Sequence, residues 1–138
     1  MYLTDGRSDG SIQRAGMGGT NLITFVTPVN SPRGIAIDFK NSRLYGASEG
    51  SKNVQHCDFE GKDIQTAVQL GSSPWGLTVF EEHIFVGNSG KNRVESYTKA
   101  GQDMRILSTG SGVLMSHLVG IPRSDLPKTR TNHCKNRV

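Results

Sequence analysis

Two cysteines and four histidines are the side chains in these 138 residues best suited to nucleophilic or metal chemistry. Cys57 lies between His56 and Asp58, an order that suggests a nucleophile flanked by a base and an acid. Consecutive residues of a strand point to opposite faces, however, so the three cannot converge on one substrate. A buried thiol at that position behaves as a small apolar group. The second cysteine, Cys134, follows 77 residues later, and a bridge between the two is not expected. No Cys-x-x-Cys pair exists, so a zinc centre is not supported, and with no Glu, Asp or His in Pro32-Arg33-Gly34 or Pro74-Trp75-Gly76 no other metal site and no cofactor is expected. His56, His83, His117 and His133 share no common spacing. Asn30-Ser31-Pro32 and Asn41-Ser42-Arg43 both fail as Asn-x-Ser/Thr acceptors.

The net charge of +4 hints at nucleic acid until its distribution is read. Residues 1–120 hold eleven Lys/Arg and eleven Asp/Glu. The excess lies in the tail, where Arg123, Lys128, Arg130, Lys135 and Arg137 face Asp125 alone. A nucleic-acid reader carries its basic face on the folded part, so no nucleic-acid partner is expected. No apolar run approaches the ~18 residues that a membrane helix needs. Met1-Tyr2-Leu3-Thr4-Asp5 lacks a basic region followed by an apolar run, so a secretory signal is not expected either. If the parent protein is secreted, this is then not its natural beginning.

The elements that must position any site come from a repeat. Tyr2, Tyr45 and Phe85 are separated by 43 and 40 residues, while Ile12, Val54 and Val94 are separated by 42 and 40. Gly19, Gly61 and Gly101 share that second interval, and Pro32 and Pro74 are 42 apart. Within each unit, short apolar runs such as Ile35-Ala36-Ile37 and Leu77-Thr78-Val79 end at polar turns, as strands do. Asp9-Gly10, Gly18-Gly19, Glu60-Gly61 and Ala100-Gly101 are expected to supply the positive-φ positions of hairpins. No helical period is sustained, so the fold is read as all-β. A unit of 40–45 residues with four short strands predicts a propeller blade, which shares its apolar faces with its neighbours.

The units resemble the low-density lipoprotein receptor class B repeat, whose signature is Tyr-Trp-Thr-Asp. Pro32 to Asp38 and Pro74 to Phe80 match its Pro-x-Gly-Leu-Ala-Val-Asp strand. Tyr2-Leu3-Thr4-Asp5 matches the signature with one change, and Ile12-Gln13-Arg14-Ala15 and Val94-Glu95-Ser96-Tyr97 match the Ile-Glu-Arg-Ala strand. The resemblance covers roughly residues 1–123. The signature Trp is replaced by Leu3, Gly46 and Val86, and the signature Asp survives only as Asp5. Loss of the aromatic at Gly46 predicts a deficit of about 3 kcal/mol or more if nothing refills the space.

By this resemblance the chain is a partial β-propeller, about three four-stranded blades of a six-bladed ring. Residues 1–120 form three repeats, and residues 121–138 form a tail in which Cys134 would begin an EGF-like module. The frame gives three strands, then four, then four, and a last strand near Met115 to Val119. An open arc leaves its end faces uncovered, so the remaining blades are expected from further sequence, with closure by two copies of the chain as the alternative. The residue between Pro and Gly on each innermost strand faces the propeller mouth in this family, which points to Arg33, Trp75 and Met115 as ligand-binding residues. Trp and Arg are also the types that dominate binding hot spots. The resemblance implies an extracellular, non-enzymatic module of a lipoprotein-receptor-like protein, endocytic or signalling, binding secreted proteins or neighbouring receptor modules. The alternative is part of a lactonase-like six-bladed hydrolase with a divalent metal.

Overall fold

The computed structural model describes residues 1–110, so Met115, the strand expected near it, Cys134 and the tail lie outside the described residues. Eleven strands form three antiparallel sheets. The first contains β1 (Tyr2–Asp5), β2 (Gly10–Arg14) and β3 (Ile23–Val29). The second contains β4 (Pro32–Asp38), β5 (Arg43–Ser48), β6 (Asn53–Asp58) and β7 (Gln65–Gln69). The third contains β8 (Pro74–Phe80), β9 (His83–Asn88), β10 (Arg93–Thr98) and β11 (Arg105–Thr109). Three, four and four strands is the order that the motif frame predicts, and the architecture is a partial propeller. β1 corresponds to β5 and β9, so among the described residues the first sheet has no counterpart of β4 or β8. The one departure from β structure among the described residues is a single 3-10 turn at Ser89–Lys91.

Each strand pairs with its sequence neighbour, which confines side chains to alternate faces. Along β5, Leu44 enters the core shared with the first sheet, while Tyr45 and Ala47 enter the core shared with the third. On β6 the split is Cys57 against Val54. The second sheet is thus apolar on both faces and is covered on both. Tyr2 stacks edge-on against Phe25 at 5.2 Å in the first interface, and Tyr45 meets Ile84, Val86 and Tyr97 in the second.

The outer turns repeat in geometry as well as sequence. Gly19, Gly61 and Gly101 have φ of 78°, 78° and 76°, and Asn21, Asp63 and Asp103 follow in the left-handed region at 53°, 51° and 51°. Gly10 differs from the expected role. It is not among the positive-φ glycines, and it is required because a Cβ there would lie 1.9 Å from the Asp5 carbonyl.

The missing signature Trp at position 46 does not leave the expected void. A Cβ on Gly46 would meet Ile12 Cδ1 at 3.2 Å, so the isoleucine of the first sheet occupies the approach. What remains is a cavity of about 20 Å³ bounded by Ile12, Val26, Leu44, Gln55 and Cys57 among others. The deficit expected from the sequence is therefore largely offset by the facing blade.

Polar side chains tie the second and third sheets together. Lys99 Nζ lies 2.5 Å from Asp38 Oδ2, both side chains largely buried, and Lys40 reaches Glu82 at 3.0 Å on the surface. Burial alone would raise the Asp38 pKa, but hydrogen bonds from Lys99 and Asn41 outweigh it and hold the carboxyl below its ordinary 3.8. Inside the third sheet, Glu95 is fully buried and accepts hydrogen bonds from Tyr97 Oη at 2.7 Å, Asn88 Nδ2 at 3.1 Å and Arg93 Nε at 2.5 Å. Burial again pushes the carboxyl up and these donors more than compensate, so its pKa is lowered.

Gly46→Trp, although it restores the signature residue, overpacks the interface and destabilises by about 1–3 kcal/mol or more in urea titrations, and pairing it with Ile12→Ala recovers part of the loss. Asp38 and Glu95 have lowered folded pKa values, so their contributions are complete above the ordinary values of 3.8 and 4.5 and disappear as pH falls through the folded ones. Lys99→Ala leaves Asp38 buried without its cation and lowers stability at neutral pH, with a smaller difference from the unsubstituted protein once the pH falls through the lowered folded pKa of Asp38 and the carboxylate is lost.

Candidate functional site: the Arg33–Trp75 mouth

Arg33 and Trp75 are the second residues of β4 and β8, the strands that lie side by side where the second and third sheets meet. Gly34 sets their separation. A Cβ there would lie 2.7 Å from the Trp75 carbonyl and 2.8 Å from the Leu77 amide, so only glycine lets the β8 backbone pass this close. The consequence is a stack, with the Arg33 guanidinium carbon 4.3 Å from the centroid of the Trp75 ring. The indole is 37% exposed and does not sit between the sheets.

Three sheets contribute to this point. Arg33 donates from Nε to Glu49 Oε2 at 2.7 Å and also from Nη2 to the same oxygen, forming an ion pair that is partly buried. Its Nη1 points toward the first sheet, where a Cβ on Gly6 would be 3.1 Å away. Glu49 lies in the β5–β6 corner, which is anchored by its own amide to the Ser31 carbonyl at 3.0 Å and by the Gly50 amide to Asn30 at 3.1 Å. Ser48 Oγ adds a hydrogen bond of 2.6 Å to the Asn30 carbonyl. The guanidinium is therefore fixed on one edge by a carboxylate and on one face by an indole, and it presents a flat cation with an adjoining aromatic surface. Such a surface can recognise carboxylate, amide or aromatic groups of another protein.

The two described residues expected at the mouth are thus brought together, while the third, Met115, lies outside the described residues. Glu49 and Gly6 were not singled out from the sequence. Both follow directly after the signature strand, Gly6 after Asp5 and Glu49 after Ser48, so aligning the corner loops as well as the strands would have marked them. His56 and Cys57 are separated as strand alternation requires. His56 rests against the Tyr45 ring at 5.3 Å, and Cys57 is in the core toward the first sheet. Burial raises the Cys57 thiol to about 11, which keeps it protonated and unreactive. No group of three His, Cys, Asp or Glu side chains arranged to hold a metal ion occurs among the described residues.

The architecture is an arc of a β-propeller that carries the Arg33–Trp75 stack on its β4 and β8 strands. The low-density lipoprotein receptor repeat class B family matches residues 1–39, which supports the resemblance carried by the repeat motifs. The chain is also 28% identical over 134 residues to a vitellogenin receptor of Solenopsis invicta, covering 92% of this chain and 8% of that protein. Among solved structures, the nidogen/laminin complex aligns with a TM-score of 0.71 at 22% identity, over 80% of this chain and 44% of that one. A gluconolactonase from Xanthomonas campestris aligns with a TM-score of 0.61 at 20% identity, over 72% of this chain and 35% of that one. Both structural likenesses are of fold. This chain spans a small part of the receptor and less than half of either solved chain.

Gly34→Ala forces β8 away from β4. The expected result is a lower unfolding midpoint together with greater acrylamide quenching of Trp75, the sole tryptophan and so a direct reporter of the stack. Arg33→Ala uncovers the indole and raises quenching with little loss of stability, since an exposed cation–π contact contributes about 0.5–1 kcal/mol.

Proposed function

We propose that this chain is an extracellular, non-enzymatic protein-binding module of a lipoprotein-receptor-like protein, and that its ligand docks at the Arg33–Trp75 mouth. The observation that carries this reading is the exposed indole with a carboxylate-anchored guanidinium stacked on it, where three sheets converge. Trp and Arg held rigid on strands bind at low cost in side-chain entropy, which is why they concentrate in hot spots. The class B repeat match and the similarity to a vitellogenin receptor support a receptor origin, and the solved nidogen relative is itself in complex with laminin. The ligands are secreted proteins or neighbouring modules of the same receptor, in an endocytic or a signalling setting. Residues 1–120 act as the propeller part, with Met115 the third mouth residue, and residues 121–138 lead into an adjoining module. No helix among the described residues is long and apolar enough to cross a membrane.

Vitellogenin is the first ligand to test. Purified vitellogenin passed over the immobilised chain is expected to bind, and Trp75→Ala and Arg33→Ala are each expected to weaken binding at least tenfold, about 1.4 kcal/mol. Circular dichroism of each variant checks that the sheets persist. Binding unchanged by either substitution would remove the mouth from the interface, and absence of binding would remove vitellogenin as the ligand.

A further inference from the structure

The seam between the second and third sheets holds an imidazole suited to its neutral form alone. His56 on β6 pairs in register with Tyr45 on β5, and residues so paired project from the same face of a sheet. Tyr45 belongs to the core shared with the third sheet, so His56 lies at that seam, with its ring 5.3 Å from the tyrosine ring. Its Nδ1 is buried and meets no hydrogen-bond partner. Neutral imidazole carries a proton on only one nitrogen. Imidazolium carries one on both, so Nδ1 would then place an N–H in a buried position with no acceptor.

The equivalent position in the first sheet shows how a charge can be held there. Arg14 pairs with Tyr2 as His56 pairs with Tyr45, 42 residues on. Its Nη1 donates across the first seam to the Phe59 carbonyl at 3.3 Å, and its guanidinium lies over the Phe25 ring at 5.2 Å. No such acceptor meets Nδ1 of His56.

The surrounding charges are already committed to one another. Arg43 on β5, a second cation, lies 2.7 Å from Asp63 Oδ2. Asp63 also accepts from Gln65 Nε2 at 2.6 Å, while Asp58 Oδ1 accepts from the Glu60 and Lys62 amides at 2.9 and 2.8 Å. From β4 and the third sheet, Asp38 is held by Lys99 and Asn41, and Glu82 by Lys40. Burial and Arg43 lower the His56 pKa below its ordinary 6.5, against a smaller opposing pull from Asp63. Asp38, Asp63 and Glu82 are themselves lowered and Tyr45 is raised, so these neighbours keep their charge states between about pH 7 and 5.

We propose that His56 makes this seam acid-sensitive, because the neutral ring is accepted between the sheets and a proton on it loosens them. The folded chain takes up that proton less readily than the unfolded chain. The contribution of the neutral ring is therefore complete above the ordinary value of 6.5 and is lost as pH falls from there through the folded one. This device is independent of what docks at the Arg33–Trp75 mouth.

Two measurements on the whole chain test it. By NMR, the Cε1–H resonance of His56, assigned through its backbone, is expected to titrate below 6.5, and Arg43→Gln, which removes the neighbouring cation, is expected to move that midpoint upward. In urea titrations the unfolding midpoint is expected to fall between about pH 7.5 and 5. His56→Gln, which takes up no proton, is expected to lose at least half of that fall while keeping the sheet signal in circular dichroism. A ring midpoint at or above 6.5, no upward movement in Arg43→Gln, or an acid response unchanged by His56→Gln would each overturn the proposal.

Discussion

A narrow antiparallel sheet with two apolar faces is insoluble by itself, and everything else in this molecule depends on how the faces are covered. The second sheet shows the solution in full, with Leu44 and Cys57 turned one way and Tyr45, Ala47 and Val54 the other. Stacking buries both sets without a helix or a separate core. It also forces backbone against backbone at a few points, and those are where glycine is required. Gly34, Gly61 and Gly101 each abut the main chain of a neighbouring sheet. The high glycine content thus reflects close approach between sheets as much as tight turning.

The same constraint builds the mouth. Because β4 and β8 are held in contact at Gly34, the side chains just before that glycine and its counterpart emerge side by side. An arginine and a tryptophan at those positions have little choice but to stack, and Glu49 from the next corner fixes the guanidinium in the plane it adopts. The binding surface is therefore a by-product of sheet packing, decorated by residue type. The buried acid Glu95 has the opposite character. Its oxygens are consumed by Tyr97, Asn88 and Arg93, so it stiffens the third sheet and offers nothing to solvent.

Much of this was legible in the residue order. A common interval linking Tyr2 with Tyr45, Ile12 with Val54 and Gly19 with Gly61 fixes the unit, and strand alternation then assigns faces, which is why the separation of His56 from Cys57 could be read in advance. Arg33 and Trp75 were reachable through the Pro-x-Gly register. Glu49 was not, because its role depends on a corner loop folding back across Asn30 and Ser31, a contact that no local pattern encodes. Gly10 was assigned to turn geometry when its actual constraint is a carbonyl across the hairpin. The loss of Trp at position 46 read as damage for a related reason: the compensating atom, Ile12 Cδ1, belongs to a different repeat.

That substitution has a consequence for how the repeats relate to one another. Gly46 is tolerable only opposite Ile12, and Val86 meets a different set of partners in Tyr45 and Leu77. The wedges share a blueprint but have become individually keyed, so their sequence in the arc is no longer arbitrary. Swapping one for another would preserve every hydrogen-bonded ladder and still misfit at the seams. Divergence among such modules is thereby channelled: a change on one face is retained when the opposing face changes with it, and kinship between repeats fades fastest where they touch.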